Sequence, residues 1–466
     1  MFTEQTYIQR RDLLTSQVDS GVILLLGHDD SPMNYANNTY PFRQDSTFLY
    51  YIGLDAPGLA AVLDMDEGST RVFGDDPTVE QSVWTGPRPS LTDQSAKMGI
   101  YQTASLSQLQ TVIEKTRAQG RRIHILPPYR ADHTLRLSQL LGIAPEQVRQ
   151  AVSEPLIRAV VVQRSIKDDE EIAEIESSIE TSYQMHCLAM KLSRPGRYEK
   201  EVVGQIDAIP IGQGVLSAFT TIFSIRGEIL HNPFHENLMK AGDLVVHDSG
   251  VESPLHYASD ITRTIPVSGR FSPRQRDLYQ IVIAAQEQAI EAIRPGVEFR
   301  SIHRLACRVL TSGLKDLGLI RGDVDQAVEA GVHTLFFQCG LGHMLGLDVH
   351  DMEGLGEDYV GYTDTIKRNP AFGWRSLRLA KALEPGFVLT VEPGLYFIDG
   401  LIDLWKAQGR CSDFVNYAKV EAFRGFGGVR IEDDVLITTT GCRILGPAIP
   451  KSIEDVEAAC SSAEGR

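Results

Sequence analysis

The tripeptide Arg-Pro-Gly occurs twice, at 194–196 and 294–296, one hundred residues apart. Each copy stops a helical pattern. Proline lacks the N–H that a helix interior needs, and glycine accepts the left-handed turn that follows a helix. Before the first stop, Ile172, Ile175, Ile179, Tyr183, His186 and Met190 recur at spacings of three and four. That is one apolar face of a long helix. Before the second stop, Ser272-Pro273 reads as an N-cap followed by proline at the first helical position. Another helix-like segment follows each stop. The second half of the chain therefore reads as an internal duplication, each copy running helix, stop, helix, strands. The clearest strand candidates are Leu244 to Asp248, Phe387 to Glu392 and Gly428 to Thr438. Helices outside a curved, mostly antiparallel sheet are expected, an α+β architecture.

The first half is patterned differently. Apolar runs at 22–26, 59–63 and 123–126 end in turn signals, and helix-like stretches such as Ser105 to Arg117 lie between them. Strand and helix alternate, as in an α/β domain. A boundary is expected near Glu154-Pro155, giving an α/β domain over 1–157 and a second domain over 158–466. Ala159-Val160-Val161-Val162 looks strand-like. Asp168 then caps the long helix, with Glu171 three residues on as its capping-box partner.

Composition removes several function classes. The 466 residues carry 45 Lys and Arg against 61 Asp and Glu, a net charge of −16. Such a chain does not suit a nucleic-acid backbone or an anionic membrane surface. No apolar run approaches a membrane-spanning length, and the first twenty residues lack the apolar centre of a signal peptide. Six scattered cysteines form no CxxC pair, which fits free thiols in a reducing compartment. A cytoplasmic protein is expected.

Chemistry concentrates where acids end apolar strands. Asp248 closes Val-Val-His-Asp, Asp260 follows twelve residues later, Glu392 closes Val-Leu-Thr-Val-Glu before Pro393-Gly394, and Glu432 sits in Val-Arg-Ile-Glu-Asp-Asp. On a strand Arg430 and Glu432 share a face. A carboxylate ending a buried strand is costly unless it is paired or binds a cation. Singly, each reads as a salt-bridge or turn-capping acid; four together do not. His343, flanked by Gly342 and Gly346, adds one imidazole. An oxygen-rich set with one imidazole suits Mn²⁺, and less specifically Co²⁺ or Zn²⁺. Two divalent ions would be balanced by four carboxylates, and a bridging water would become a nucleophile near neutral pH.

These segments carry a resemblance. Asp248-Ser-Gly, Ala258 to Thr264, Gly342 to Asp351, Leu389 to Tyr396 and Gly428 to Asp434, in that order, are similar to the prolidase and aminopeptidase P family. Tyr40 to Tyr50 resembles the N-terminal signature of the same family. The family consists of dinuclear metallopeptidases with a pita-bread catalytic domain. The resemblance implies Asp248, Asp260, His343, Glu392 and Glu432 as metal ligands, with Asp260 and Glu432 shared by both ions. It implies Glu392 as the proton carrier and His231 and His350 as catalytic histidines beside the scissile carbonyl and the proline. Substrate contacts would come from His231, His350, Arg378 and Arg430. His231 and His235 are spaced like helical zinc ligands, but Pro233 between them argues against that helix.

A dipeptidase must recognise the free carboxylate on proline, and an arginine fork suits it. Arg378, fourteen residues before Glu392, resembles the prolidase arginine, with Arg375 as its rival. The long stretch between Tyr396 and Arg430 also looks prolidase-like. The expectation is an Xaa-Pro dipeptidase, with an Xaa-Pro aminopeptidase acting on longer peptides as the alternative. Phe219 stands where relatives carry tyrosine, Cys339 where histidine is common, and Ser224 to Glu228 is an altered loop. None of these removes a metal ligand. A non-catalytic module and a metal-free creatinase-type hydrolase share the fold, and the intact acid set argues against both. The expected partner is a proline-containing peptide. A homodimer is also expected, with Trp84 in Ser82 to Pro87 as a lid.

Overall fold

The computed structural model describes residues 1–461, which divide into two compact units, 1–164 with 354–359 and 165–353 with 360–461. The first unit is built on a five-stranded mixed sheet. Val22–Leu26 runs antiparallel to Ala60–Asp64 and parallel to Ile123–His124. Every residue of Val22–Leu26 is buried, as a continuous apolar run requires when both faces are covered. Leu109 and Ile113 of helix Gln108–Ala118 and Leu137 and Leu140 of helix Ala131–Leu141 join it in one core.

The strand expected at Ala159 to Val162 is instead the middle of helix Glu154–Ser165. Pro155 lies in the first turn, where no N–H is needed. Residues 154, 158 and 162 are exposed while Leu156, Ile157, Val160 and Val161 are buried. That fourfold spacing is helical, and burial of three sides of the helix overrides the β propensity of the valines.

The second unit carries the repeat. Asp168 caps Asp169–Leu192 and forms the capping box with Glu171. Ser272 caps Pro273–Ala292 with proline at its start. After the two stops, Gly196 and Gly296 have φ of +88° and +83°. Their N–H groups donate to Met239 and Leu383 carbonyls at 2.9 and 2.8 Å. Two residues later, Tyr198 pairs with Leu238 and Glu298 pairs with Ala382, both antiparallel. Helices Glu199–Ile206 and Phe299–Asp316 follow. The hundred-residue repeat thus extends to individual backbone hydrogen bonds.

Each copy contributes an antiparallel three-stranded sheet. One contains Ile222–Ser224, Leu244–Ser249 and Ile261–Pro266. The other contains Val388–Val391, Asp433–Ile437 and Cys442–Ile444. Gly394–Tyr396 pairs with Gly428–Arg430, and Thr262 pairs with Glu432 across the seam between the copies. Among the described residues, no helix is long and apolar enough to cross a membrane.

Candidate metal centre

The seam collects the acids. Strand register sets Asp248 opposite Thr262, and Thr262 opposite Glu432. Thr262 Oγ1 donates to Glu432 Oε2 at 2.7 Å, and the Glu432 N–H donates to the Thr262 carbonyl at 3.0 Å. Asp260 lies just before strand Ile261–Pro266, and its N–H donates to Asp434 Oδ2 at 3.0 Å. Glu392 follows strand Val388–Val391, tied by its N–H to the Leu341 carbonyl at 2.8 Å.

His343 enters from the loop after Gly342. A Cβ at Gly342 would lie 1.9 Å from the Thr390 carbonyl oxygen, so only glycine admits this approach. His343 Nδ1 sits 3.0 Å from the Met344 carbonyl. A carbonyl can only accept, so Nδ1 carries the proton and Nε2 keeps its lone pair. Nε2 lies 3.4 Å from Asp260 Oδ2 and 3.6 Å from Glu392 Oε1. Donor atoms of Asp260, His343 and Glu432 all lie within 4.8 Å of one another.

The charge of this cluster is under-compensated. Arg430 is its buried cation. It donates to Asp248, to Thr262 Oγ1 at 3.0 Å and to the Tyr396 hydroxyl at 3.2 Å. All three of its nitrogens are engaged inside the protein. Burial, then the Asp248 and Glu392 charges, push Asp260 well above the ordinary carboxylate range. Burial and the neighbouring Asp260 do the same to Glu432, and burial raises Glu392. Asp248 Oδ1 is buried with no hydrogen-bond partner. Adjacent Asp433 behaves oppositely. It is equally buried, but Arg263 and Lys451 hold it below the usual range. The fold gives Asp433 two cations, Arg263 and Lys451, and gives the four acids of the cluster one, Arg430. An orphaned carboxylate oxygen, acids raised by mutual proximity and one unprotonated imidazole nitrogen fit a divalent cation.

The remaining expected residues line the rim. His350 packs edge-on against His343, ring centroids 4.4 Å apart. Burial and the neighbouring His343 drive its pKa down to about 2. Its Nδ1 lies 2.6 Å from Glu353 Oε2, and Arg378 Nε donates to the same oxygen at 3.4 Å. His231 is exposed; its surroundings and Arg430 lower its pKa, and Asp248, Arg378 and Glu353 also act on it. Arg375, the rival arginine, instead lies 6.0 Å from the ring centroid of Phe372.

Sequence reasoning missed Asp434, Thr262, Tyr396, Arg263 and Glu353. Asp434 was signalled by period two, since it shares parity with Arg430 and Glu432. Arg263 and Asp433 carry no such signal; their pairing depends on which strands adjoin.

Two family models match the chain: "Metallopeptidase family M24" over residues 173–439 and "Aminopeptidase P, N-terminal domain" over residues 7–125. A human Xaa-Pro dipeptidase is 31% identical over 456 residues, covering 95% of this chain and 89% of the relative. An Xaa-Pro aminopeptidase from Escherichia coli K12 is 31% identical over 469 residues, covering 98% and 97%. Among solved structures, aminopeptidase P from E. coli with the inhibitor Pro-Leu superposes with a TM-score of 0.80 at 30% identity, covering 98% of each chain. Pseudomonas aeruginosa aminopeptidase PepP gives 0.81 at 28%, covering 99% of this chain and 98% of that one. The expected fold, an aminopeptidase P-type N-terminal domain followed by a pita-bread catalytic domain, is the one found. The chain belongs to metallopeptidase family M24, and its curated relatives include Xaa-Pro dipeptidases and Xaa-Pro aminopeptidases.

Proposed function

We propose that this chain hydrolyses the Xaa-Pro bond of short peptides and prefers the dipeptide. The observation that carries the reading is Arg378, partly open and beside His350 at the rim of the acid cluster. Its planar fork suits the free carboxylate of a terminal proline. Asp248, Asp260, His343, Glu392 and Glu432 would hold two divalent ions, with Mn²⁺ expected ahead of Co²⁺ or Zn²⁺. When bound, such ions supply Lewis acidity and make a coordinated water acidic.

The chain's own residues position and move protons. Arg430 orients Asp248, and Thr262 holds one oxygen of Glu432. Glu392 has the more open side chain, 19% exposed against 8% for Asp260. It is the acid best able to meet substrate. Glu392 takes the proton of the attacking water and delivers it to the proline nitrogen. That nitrogen carries no hydrogen in the peptide and leaves only once protonated. His231 and His350 orient the carbonyl and the proline ring.

The second reading, an Xaa-Pro aminopeptidase, is favoured by likeness to aminopeptidase P structures over nearly the whole chain. Hydrolysis of Ala-Pro and Ala-Pro-Ala with added Mn²⁺, followed by mass spectrometry, separates them. Cleavage of the dipeptide alone supports the first reading, and release of Ala from the tripeptide supports the second. If neither is cut by metal-loaded protein, both fall. The proposal extends to a homodimer in the cytoplasm. Helix Val79–Thr85 buries none of its residues and exposes Val79, Val83 and Trp84, an apolar face suited to a second copy. All six cysteines are free thiols. A monomer in light scattering at micromolar concentration overturns the dimer.

A further inference from the structure

Glu353 opens the short turn Glu353–Leu355, three residues after His350. One of its oxygens, Oε2, meets two residues at the rim: His350 Nδ1 at 2.6 Å and Arg378 Nε at 3.4 Å. A carboxylate only accepts, so His350 carries its proton on Nδ1 and leaves Nε2 bare. The other arginine of the site, Arg430, is buried with every nitrogen engaged. Arg378 is 31% exposed and Glu353 45% exposed, so an incoming ligand reaches both.

We propose that Glu353 is a resident carboxylate on Arg378, competing with the terminal carboxylate of a dipeptide and so narrowing the site's preference for dipeptides over longer peptides. The inference rests on the Xaa-Pro peptidase reading above. A dipeptide brings a second carboxylate to a guanidinium that already faces one. It must displace Glu353 or lie beside it, and like charges side by side are a repulsive specificity element. A peptide extended past proline brings a neutral amide instead. Its N–H can donate to Glu353, so the same acid that opposes a dipeptide accepts a tripeptide. Glu353 is here a specificity residue that meets the substrate terminus where Arg378 draws it in.

The test compares kcat and KM on Ala-Pro, Ala-prolinamide and Ala-Pro-Ala for metal-loaded wild type, Glu353→Gln and Glu353→Ala, with metal content measured in each. Glu353 is half exposed in a short turn, so neither change threatens folding. Both variants are expected to raise kcat/KM for Ala-Pro over Ala-prolinamide by about fivefold, mainly through KM, the scale of one partly exposed charge contact. In an Arg378→Ala background the shift should vanish. An unchanged ratio, an equal change on both substrates, or a shift that persists without Arg378 overturns the proposal while leaving the peptidase reading intact. Failure of wild type to cut any of the three peptides overturns the peptidase reading, and this proposal with it.

Discussion

Among the described residues of the second unit, two buried clusters each bring three donor side chains within 4.8 Å: Asp260–His343–Glu432 and His303–Cys307–His333. Spacing alone does not distinguish them; charge does. His303 and Cys307 lie one turn apart on helix Phe299–Asp316, with Nε2 and Sγ 3.6 Å apart. Trp374 packs edge-on against both imidazoles, centroids at 4.9 and 5.7 Å. Burial lowers His303 to about 3 and His333 to about 4, and pushes the Cys307 thiol up. All three side chains are therefore neutral near pH 7, and a neutral cluster is tolerated in an apolar core. The acid cluster holds Asp248, Asp260, Glu392 and Glu432 around one buried arginine, and has no neutral state without taking up protons or cations. Donor proximity is thus a weak sign of a metal site. Donor proximity with uncompensated charge is a strong one.

The largest expected effect breaks the acid cluster. Asp260→Ala, or treatment with a chelator, should lower peptidase activity by at least about 10³-fold, with divalent content followed by elemental analysis. Wild-type activity in exhaustively chelated protein would refute the metal assignment. Next is Arg430→Ala, which strips the acids of their buried cation. It should cost about 3–5 kcal/mol in denaturant unfolding of the metal-free protein, since it leaves a buried charge unpaired. Metal should recover part of that loss.

Stability against pH sharpens the contrast, because the two clusters have opposite signs. Burial raises Asp260 and Glu432 above their unfolded values. The folded metal-free protein then holds more protons than the unfolded chain, so this contribution falls as pH rises above about 4. Added Mn²⁺ should remove that fall. The histidines run the other way. Their folded pKa values lie below 6.5, so the unfolded chain binds more protons, and stability is lost as pH drops from 6.5 toward about 4 for His333 and about 3 for His303. His333→Gln should flatten the acid-side loss by on the order of 3 kcal/mol in thermal melts between pH 7 and 4. An acid-side loss as large as that of wild type in that variant contradicts the assignment. The smallest effect is Cys307→Ala, which should cost about 1 kcal/mol of packing and leave divalent content and activity unchanged. A drop in bound metal would show that the neutral cluster is a metal site after all.

Much of this was legible along the chain. The Arg-Pro-Gly stops announced the repeat because proline and glycine act locally on the backbone. The capping box at Asp168 and the cap at Ser272 were readable for the same reason. The acids stood out because a carboxylate ending an apolar strand is locally anomalous. The helix at Glu154–Ser165 was not legible, since a valine run suits a buried helix and a strand equally and only the surrounding contacts decide. Nor was the different fate of Asp433 and Asp434, adjacent and chemically identical. Asp433 meets Arg263 and Lys451 while Asp434 meets the N–H of Asp260, and those partners lie 170, 18 and 174 residues away.

By itself, then, the sequence determined the elements, the repeat and the inventory of ionisable groups, because propensity, capping and periodicity depend on neighbours in the chain. Only the tertiary structure decided which of those groups keep their charge. It brought Asp248, Thr262 and Glu432 side by side across the seam. It set Glu353 against Arg378 and sealed His303, Cys307 and His333 among aromatic edges. Desolvation and Coulomb energy depend on distance through space, and the order of residues along a chain does not contain that distance.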